Sequence, residues 1–375
     1  MIRTFIFTFV LLCIIGLVAC DDEDTTLATD DHVFYTGMDL SYQPMLRDKG
    51  VQYYDPFGAA IELLPYLKKR GVELVRVRLW HSPKDAYNSL ESVAAYCREI
   101  KAADMKILLD FHYSDTWADP GNQEIPTAWA SLSADEMADS VYQYTKMVLN
   151  TLAQQQTLPE FVQIGNETNA GFLWNVGKVG TGFEDNWETY GNLLNHALAA
   201  VEEQEEASDQ EIQSILHIAG VLNTNYFYQK MAELNIKYDI IGLSHYHYFH
   251  TKELAALERQ LIFLAGTFQK PIMLVETNYP WTLEWNDWTQ NWVGGTDQLV
   301  TGFSATPNGQ RAYLERISQL LKALPNNRGL GFCWWAPDLV AFDGNESTAG
   351  SFMENLTTFD FEHRALPVLE VFDKY

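Results

Sequence analysis

Cations are scarce in this chain. Lys and Arg number 25 against 50 Asp and Glu, a formal net charge of −25 over 375 residues. So few positive side chains leave little to hold phosphates, which excludes a nucleic-acid partner. The acidity itself suits the solubility of an exported protein. Cysteine is equally thin, with four residues. Cys13 and Cys20 fall in the first 20 residues, and Cys97 and Cys333 lie in a helix-like and a strand-like segment, so a disulfide framework is not expected. No GxGxxG, P-loop or HExxH spacing occurs, which removes the usual nucleotide and zinc signatures. The alternating histidines of "HYHYFH" (245–250) read as one strand face rather than a metal site. No Ser/Pro/Gly-rich linker, sequence repeat or appended module divides the chain. What is abundant is aromatic: 11 Trp and 19 Tyr, enough for a core and for a cleft that stacks on flat, neutral rings.

The first 20 residues, "MIRTFIFTFVLLCIIGLVAC", carry an early Arg3 and an apolar run too short for a comfortable membrane span. They read as a targeting segment, and their end, Leu17-Val18-Ala19-Cys20, resembles a bacterial lipobox. That resemblance implies lipidation of Cys20, which becomes the mature N-terminus. The following "DDED" resembles the acidic signal that sends some lipoproteins to the outer face of the outer membrane. An ordinary secretory signal with a chance cysteine is the alternative. Residues 21–31, "DDEDTTLATDD", are polar and read as a flexible tether.

Beyond the tether, short apolar runs alternate with longer helical patterns. Strands are expected at 34–40, 74–80, 106–113, 161–167, 215–221, 239–246, 271–276 and 330–335, with helices such as 60–71, 89–104 and 134–155 between them. Near-continuous Val/Ile/Leu strands suit a parallel sheet covered on its outside by helices. Eight strand–helix units imply a (β/α)8 TIM barrel, one catalytic domain spanning 32–375.

Such a barrel places its chemistry at the C-terminal ends of its strands. Here those ends carry Asp39, Arg78 and Trp80, His112, Asn166 and Glu167, His245 and Tyr246, Glu276, and Trp334 and Trp335. Core packing alone does not require a polar or aromatic group at nearly every strand end. Glu167 and Glu276, ending the fourth and seventh strands, can face each other across the mouth. Two carboxylates flanking one glycosidic bond form a hydrolase site, one as proton donor and one as nucleophile or base. Arg78 and a tyrosine such as Tyr246 are expected to hold Glu276 ionised. Glu167, with an apolar strand behind it, suits the acid. A structural ion pair is the alternative for either Glu, and core packing for either Trp.

The motifs "GNE" (165–167) and "VET" (275–277) are similar to those of the retaining (β/α)8 glycosidases. More specifically, "GMDLSYQPMLRDKGVQYYD" (37–55), "DFHYSDTWADPG" (110–121), "GNETNAGFLW" (165–174), "DIIGLSHYHYF" (239–249) and "ENLTTFDFEHRALPVL" (354–369) resemble the endo-β-1,4-galactanases of glycoside hydrolase family 53. The resemblance covers nearly all of the chain after the tether. It implies Glu167 as general acid/base and Glu276 as nucleophile, with Asn166 binding the sugar 2-hydroxyl. It implies that Arg78 and Tyr246 orient Glu276, and that His112 lines the base of the site. Asp115 and Trp117 would contact galactose, and Trp334 would stack on a sugar face. His245 stands where the family commonly has Tyr. No cofactor is implied for catalysis, but some members hold a structural Ca²⁺ in the loop after strand seven, where Asp287 and Asn291 are the candidate ligands. The expectation is therefore a lipid-anchored, monomeric enzyme acting on the galactan side chains of pectin. Another β-1,4-glycanase, or a glycan-binding lipoprotein without activity, is the rival reading.

Overall fold

Eight parallel strands close into a barrel in the computed structural model, which describes residues 33–375. The leader, Cys20 and the tether lie outside the described residues. The strands are β1 (Tyr35–Asp39), β2 (Leu74–Leu79), β3 (Lys106–Phe111), β4 (Phe161–Ile164), β5 (Gln213–Ala219), β6 (Ile240–His245), β7 (Ile272–Thr277) and β8 (Gly329–Trp335). Each pairs with its sequence neighbours, and β1 pairs with both β2 and β8 to complete the ring. The helices, in chain order, are α1 (Gln43–Asp48), α2 (Leu63–Lys69), α3 (Leu90–Ala102), α4 (Ala134–Gln154), α5 (Trp187–Ser208), α6 (Asn225–Glu233), α7 (Leu254–Phe268) and α8 (Pro307–Lys322). Local chemistry sets several starts. Ser89 caps α3, Ser133 and Glu136 form a reciprocal capping box on α4, and Thr306 caps α8 ahead of Pro307. The expected helix at 60–71 begins later, because Ala60 and Ile61 pair with Tyr53 and Tyr54 in a small hairpin.

Strand periodicity sorts the side chains into two layers. Val75, Val77, Leu109, Phe111, Val162, Ile164, Leu216, Ile241 and Leu274 pack in the large cluster between strands and helices. Leu74, Leu108, Phe161, Ile215, Ile240, Met273 and Cys333 fill the bottom of the barrel interior. Two residues further along the strands, the inward positions become polar: Arg76, Asp110, Gln163 and His217, all buried. The apolar plug therefore supports a polar layer, and that layer supports the mouth. A bulge in β7 shifts its register, so that Leu243 pairs with Leu274 but Ser244 with Glu276. The extra residue, Val275, turns Glu276 into the interior. Cys97 and Cys333 are both buried, free thiols.

Candidate active site

The strand ends bend to deliver the site. β4 stops at Ile164, short of the expected 167, because Gly165 takes a left-handed φ of 77° and Glu167 one of 48°. A Cβ on Gly165 would stand 2.5 Å from Thr168 Cγ2, so glycine is required there twice over. The left-handed non-glycine residue Glu167 is strained backbone placed at the mouth. Tyr113 and Ala336, just past β3 and β8, share this conformation.

Above the polar layer opens a cavity of about 600 Å³. Tyr42, Trp117, Tyr246, Phe249, Trp292 and Trp335 line it, together with Arg76, Arg78, His112, Asp119, Asn166, Glu167, His250 and Glu276. A carboxylate oxygen of Glu167, one of Glu276 and a ring nitrogen of His217 lie within 4.8 Å of one another. Three such atoms also have metal-ligand spacing, but the positive charge at this point is already supplied by the Arg76 guanidinium.

The two carboxylates have different partners. Glu276 Oε1 lies 2.9 Å from Arg76 Nη1, and its Oε2 accepts from the Tyr246 hydroxyl at 2.7 Å. Burial raises its pKa, while Arg76 and Tyr246 favour the charged form. Among the described residues Glu167 has no cation at hydrogen-bond distance; its Oε1 accepts from Ser244 Oγ at 2.5 Å. Burial, then the charge on Glu276, pushes Glu167 up to about 8. The single proton of the pair therefore resides on Glu167, and the negative charge on Glu276. The basic limb of kcat/KM should accordingly fall above about pH 8, as Glu167 loses the proton it must donate; a stopped-assay pH profile checks this.

Arg76 is the hub beneath. Its Nη1 reaches Asp39 Oδ2 at 2.7 Å, and its Nη2 reaches Asp110 Oδ2 and Asn166 Oδ1, each at 2.8 Å. Asn166 donates from Nδ2 to Ala118 O at 2.8 Å, leaving its second amide hydrogen for a ligand. His112 accepts at Nδ1 from Ala118 N and faces Asp110 with Nε2 at 3.1 Å, so it is an Nε2–H tautomer. Burial lowers its pKa and keeps it neutral.

The structure brings some of the expected residues together and places others elsewhere. Glu167, Glu276, Asn166, His112, Trp117 and Tyr246 meet in the cavity. Arg78 lines it too, but Arg76 is the residue that holds Glu276. The Arg78 guanidinium lies 3.9 Å from the Trp117 ring centroid and donates from Nε to Asn88, so it braces an aromatic wall. Trp334 is not a sugar platform. It is wholly buried in the outer layer, and its indole donates to Leu356 O. Trp335, one residue on, faces the cavity and stacks on Trp292 with centroids 5.7 Å apart. His245 is likewise turned away from the cavity and fully buried. Asp115 does not line the cavity; it accepts from Ser82 N and Thr127 N and fastens the loop after β3. Asp287 and Asn291 are buried in the loop after β7, apart from the carboxylate pair. Residues missed in the sequence are Arg76, Asp110, Gln163, His217 and Ser244, each inward by strand alternation.

These positions predict a divided outcome for the tryptophans. Trp335→Ala should lower kcat/KM on the order of tenfold or more, through loss of an aromatic face. Trp334→Phe should lower the melting temperature and leave kcat/KM within about threefold, since it removes a core hydrogen bond. Steady-state kinetics and thermal denaturation on both variants distinguish the two.

A (β/α)8 barrel whose fourth and seventh strands present two close carboxylates, one ionised beside an arginine and one protonated, with aromatic walls about them, is a glycoside hydrolase. The family model of Glycosyl hydrolase family 53 matches residues 35–372, and the chain belongs to that family. It is 38% identical over 353 residues to an arabinogalactan endo-beta-1,4-galactanase of Cellvibrio japonicus, covering 92% of each chain. It is 30% identical over 330 residues to arabinogalactan endo-beta-1,4-galactanase A of Aspergillus niger, covering 86% of this chain and 89% of that one. Among solved structures, the GH53 catalytic domain of Ignisphaera aggregans superposes with a TM-score of 0.83 at 33% identity, covering 90% of this chain and 95% of that one.

Proposed function

We propose that the chain hydrolyses β-1,4-galactosidic bonds within galactan or arabinogalactan, with retention of anomeric configuration. The observation that carries the reaction type is the carboxylate pair, with oxygens within 4.8 Å and unequal partners. That gap suits direct attack, since inverting enzymes leave room for a water and separate their carboxyl groups by roughly 6.5–9.5 Å. The galactanase relatives support the substrate class. A galactosyl unit would lie on Trp335, with its 2-hydroxyl at the free hydrogen of Asn166. Glu276 attacks the anomeric carbon while Glu167 protonates the departing oxygen. Water, deprotonated by the now ionised Glu167, then releases the sugar from Glu276. The reaction needs only these side chains and water. A reducing-sugar assay against galactan, arabinogalactan, mannan and xylan tests the reading. Activity confined to the first two supports it; preference for mannan or xylan, or no activity on any, overturns it.

Two finer readings accompany this one. The "LVAC" end of the leader followed by "DDED" supports lipidation at Cys20 and display on the outer membrane. Radiolabelled palmitate incorporation that Cys20→Ala abolishes, with loss of the protein on protease treatment of intact cells, tests it. A structural Ca²⁺ is supported by buried oxygens in the loops after β7 and β8. Asn291 Oδ1 and Glu354 Oε2 have no hydrogen-bond partner among the described residues, and Asp287 adjoins Glu354 closely enough to help raise its pKa to about 7, behind burial. Asp287, Asn291 and Glu354 would hold the ion, whose role is to fasten the two loops. Thermal denaturation in EGTA and in added Ca²⁺ should differ if it binds.

A further inference from the structure

We infer that the pocket over the ends of β4 and β5 receives the galactosyl units on the leaving-group side of the cleaved bond, with Tyr226 as a platform and the His250 Nε2–H as a donor. The inference rests on the reading of Glu167 as the general acid, because the acid stands beside the oxygen that departs. Trp335, the platform for the attacked galactosyl unit, ends β8. In a ring of eight strands β4 lies four places from β8, across the mouth. The leaving chain therefore passes out over the loops after β4, β5 and β6.

Beside the catalytic cavity, on that side, lies a second pocket of about 240 Å³, and Ala219 at the end of β5 lines both. Asn169 fixes the ridge between them. Its Nδ2 donates to Ala219 O at 2.8 Å, and its Oδ1 accepts from Ala219 N at 2.7 Å. Trp187, Leu222 and Tyr226 form an apolar wall. Tyr226, near the start of α6, keeps 57% of its surface exposed. Its ring is nonetheless held: Trp187 meets it edge-on with centroids 5.7 Å apart, and Lys230 Nζ stands 5.5 Å from its centroid. Trp187 rests in turn on Tyr190 and Phe227. An open aromatic ring fixed at one angle suits the apolar face of a pyranose. Among the described residues no charged side chain lines this pocket, which favours a neutral sugar as its occupant.

His250 lines the catalytic cavity next to the ridge. Gly220, the residue after Ala219, lies against its ring; a Cβ there would stand 3.4 Å from His250 Cδ2. His250 Nδ1 accepts from Tyr246 N at 3.0 Å, which leaves the hydrogen on Nε2. No group among the described residues takes that hydrogen. Burial lowers the pKa of His250 to about 4, so near pH 7 the ring is neutral and offers one fixed donor. The first leaving unit would meet this donor, and the second would lie on Tyr226.

Glycosyl transfer reads this surface separately from bond cleavage. A sugar bound on the leaving-group side competes with water for the glycosyl-enzyme. Its 4-hydroxyl oxygen bonds to the anomeric carbon, its proton passes to Glu167, and the bond to Glu276 breaks. With a dinitrophenyl β-galactobioside as donor and galactobiose as acceptor, the wild-type enzyme should form galactotetraose alongside hydrolysis. Tyr226→Ala should lower the ratio of transfer to hydrolysis about five- to tenfold, and kcat/KM on galactan comparably. The loss on the dinitrophenyl substrate alone, which carries no sugar on that side, should be much smaller. Tyr226→Phe keeps the ring and should restore the ratio. His250→Asn keeps an acceptor for the Tyr246 N–H, removes the Nε2 donor and should lower the ratio about threefold or more. An unchanged ratio in Tyr226→Ala or His250→Asn, equal losses on galactan and the dinitrophenyl substrate, or a wild-type enzyme that transfers nothing to galactobiose, overturns the inference and leaves Glu167 as the acid. A wild-type enzyme inactive on both substrates would instead overturn the reading of Glu167 itself.

Discussion

Glu276→Ala is expected to lower kcat/KM on β-1,4-galactan by about 10⁴-fold or more, roughly 5 kcal/mol of transition-state stabilisation. The fold should survive, because the change leaves Arg76 its partners Asp39 and Asp110. Glu167→Ala should fail equally on galactan and behave differently on activated substrates. A dinitrophenyl aglycone departs without protonation, so the first step proceeds and the glycosyl-enzyme accumulates, because no base remains to activate water. Azide discriminates the two variants. In Glu167→Ala it attacks the glycosyl-enzyme and yields a β-galactosyl azide. In Glu276→Ala it takes the place of the missing carboxylate and yields the α-azide. Proton NMR of the anomeric signal reads the outcome, and the same anomer from both variants would exchange or abolish the assignments.

The second large effect concerns Arg76. It is buried, and so are the Asp39, Asp110 and Glu276 carboxylates that surround it. Arg76→Met keeps much of the volume and strands three acidic groups without a cation. Breaking a buried pair in this way costs about 3–5 kcal/mol, since the remaining charge is uncompensated. A lowering of the melting temperature by several degrees or more should be seen by calorimetry. Adding Asp110→Asn removes one stranded charge and should return part of the loss. In whatever folded fraction remains, Glu276 loses the group that most favours its charged form, so the acid limb of kcat/KM should move to higher pH. Arg78→Met, by contrast, should leave that limb in place.

The barrel was legible in the sequence because its strands are continuous apolar runs separated by helical patterns. All eight expected strands are present with small shifts at their ends. The acidic pair was legible for a related reason: Glu167 and Glu276 end apolar strands, where a charge has no packing role. The expected roles went wrong where strand parity was not followed down to single residues. Cys333 lies in the interior cluster, so Trp335 shares its side and Trp334 faces the helices. Ile240 and Ser244 lie on the inner side of β6, which turns His245 outward. Arg76 and Arg78 both face inward, but Arg76 sits two residues earlier on β2, one layer deeper, and its guanidinium is the one that reaches Asp110 and Glu276. What parity could not have supplied is the bulge at Val275, which reverses the alternation just before the nucleophile, or the left-handed turn at Glu167. Both depend on how neighbouring strands pair. Asp115 was expected to contact galactose because the family resemblance implies that contact on the loop after β3. Its two oxygens are instead taken by backbone N–H groups, which a single sequence does not reveal.

The central claim is that Glu276 forms a covalent bond to the sugar while Glu167 delivers the proton. A 2-deoxy-2-fluoro-β-galactobioside with a dinitrophenyl leaving group reacts readily with a nucleophile and releases slowly. Peptide mass spectrometry after incubation should locate the fluorosugar on Glu276, in a peptide containing "VETNY" (275–279). A label on any other residue, or no label from an enzyme that still turns over galactan, would contradict the account.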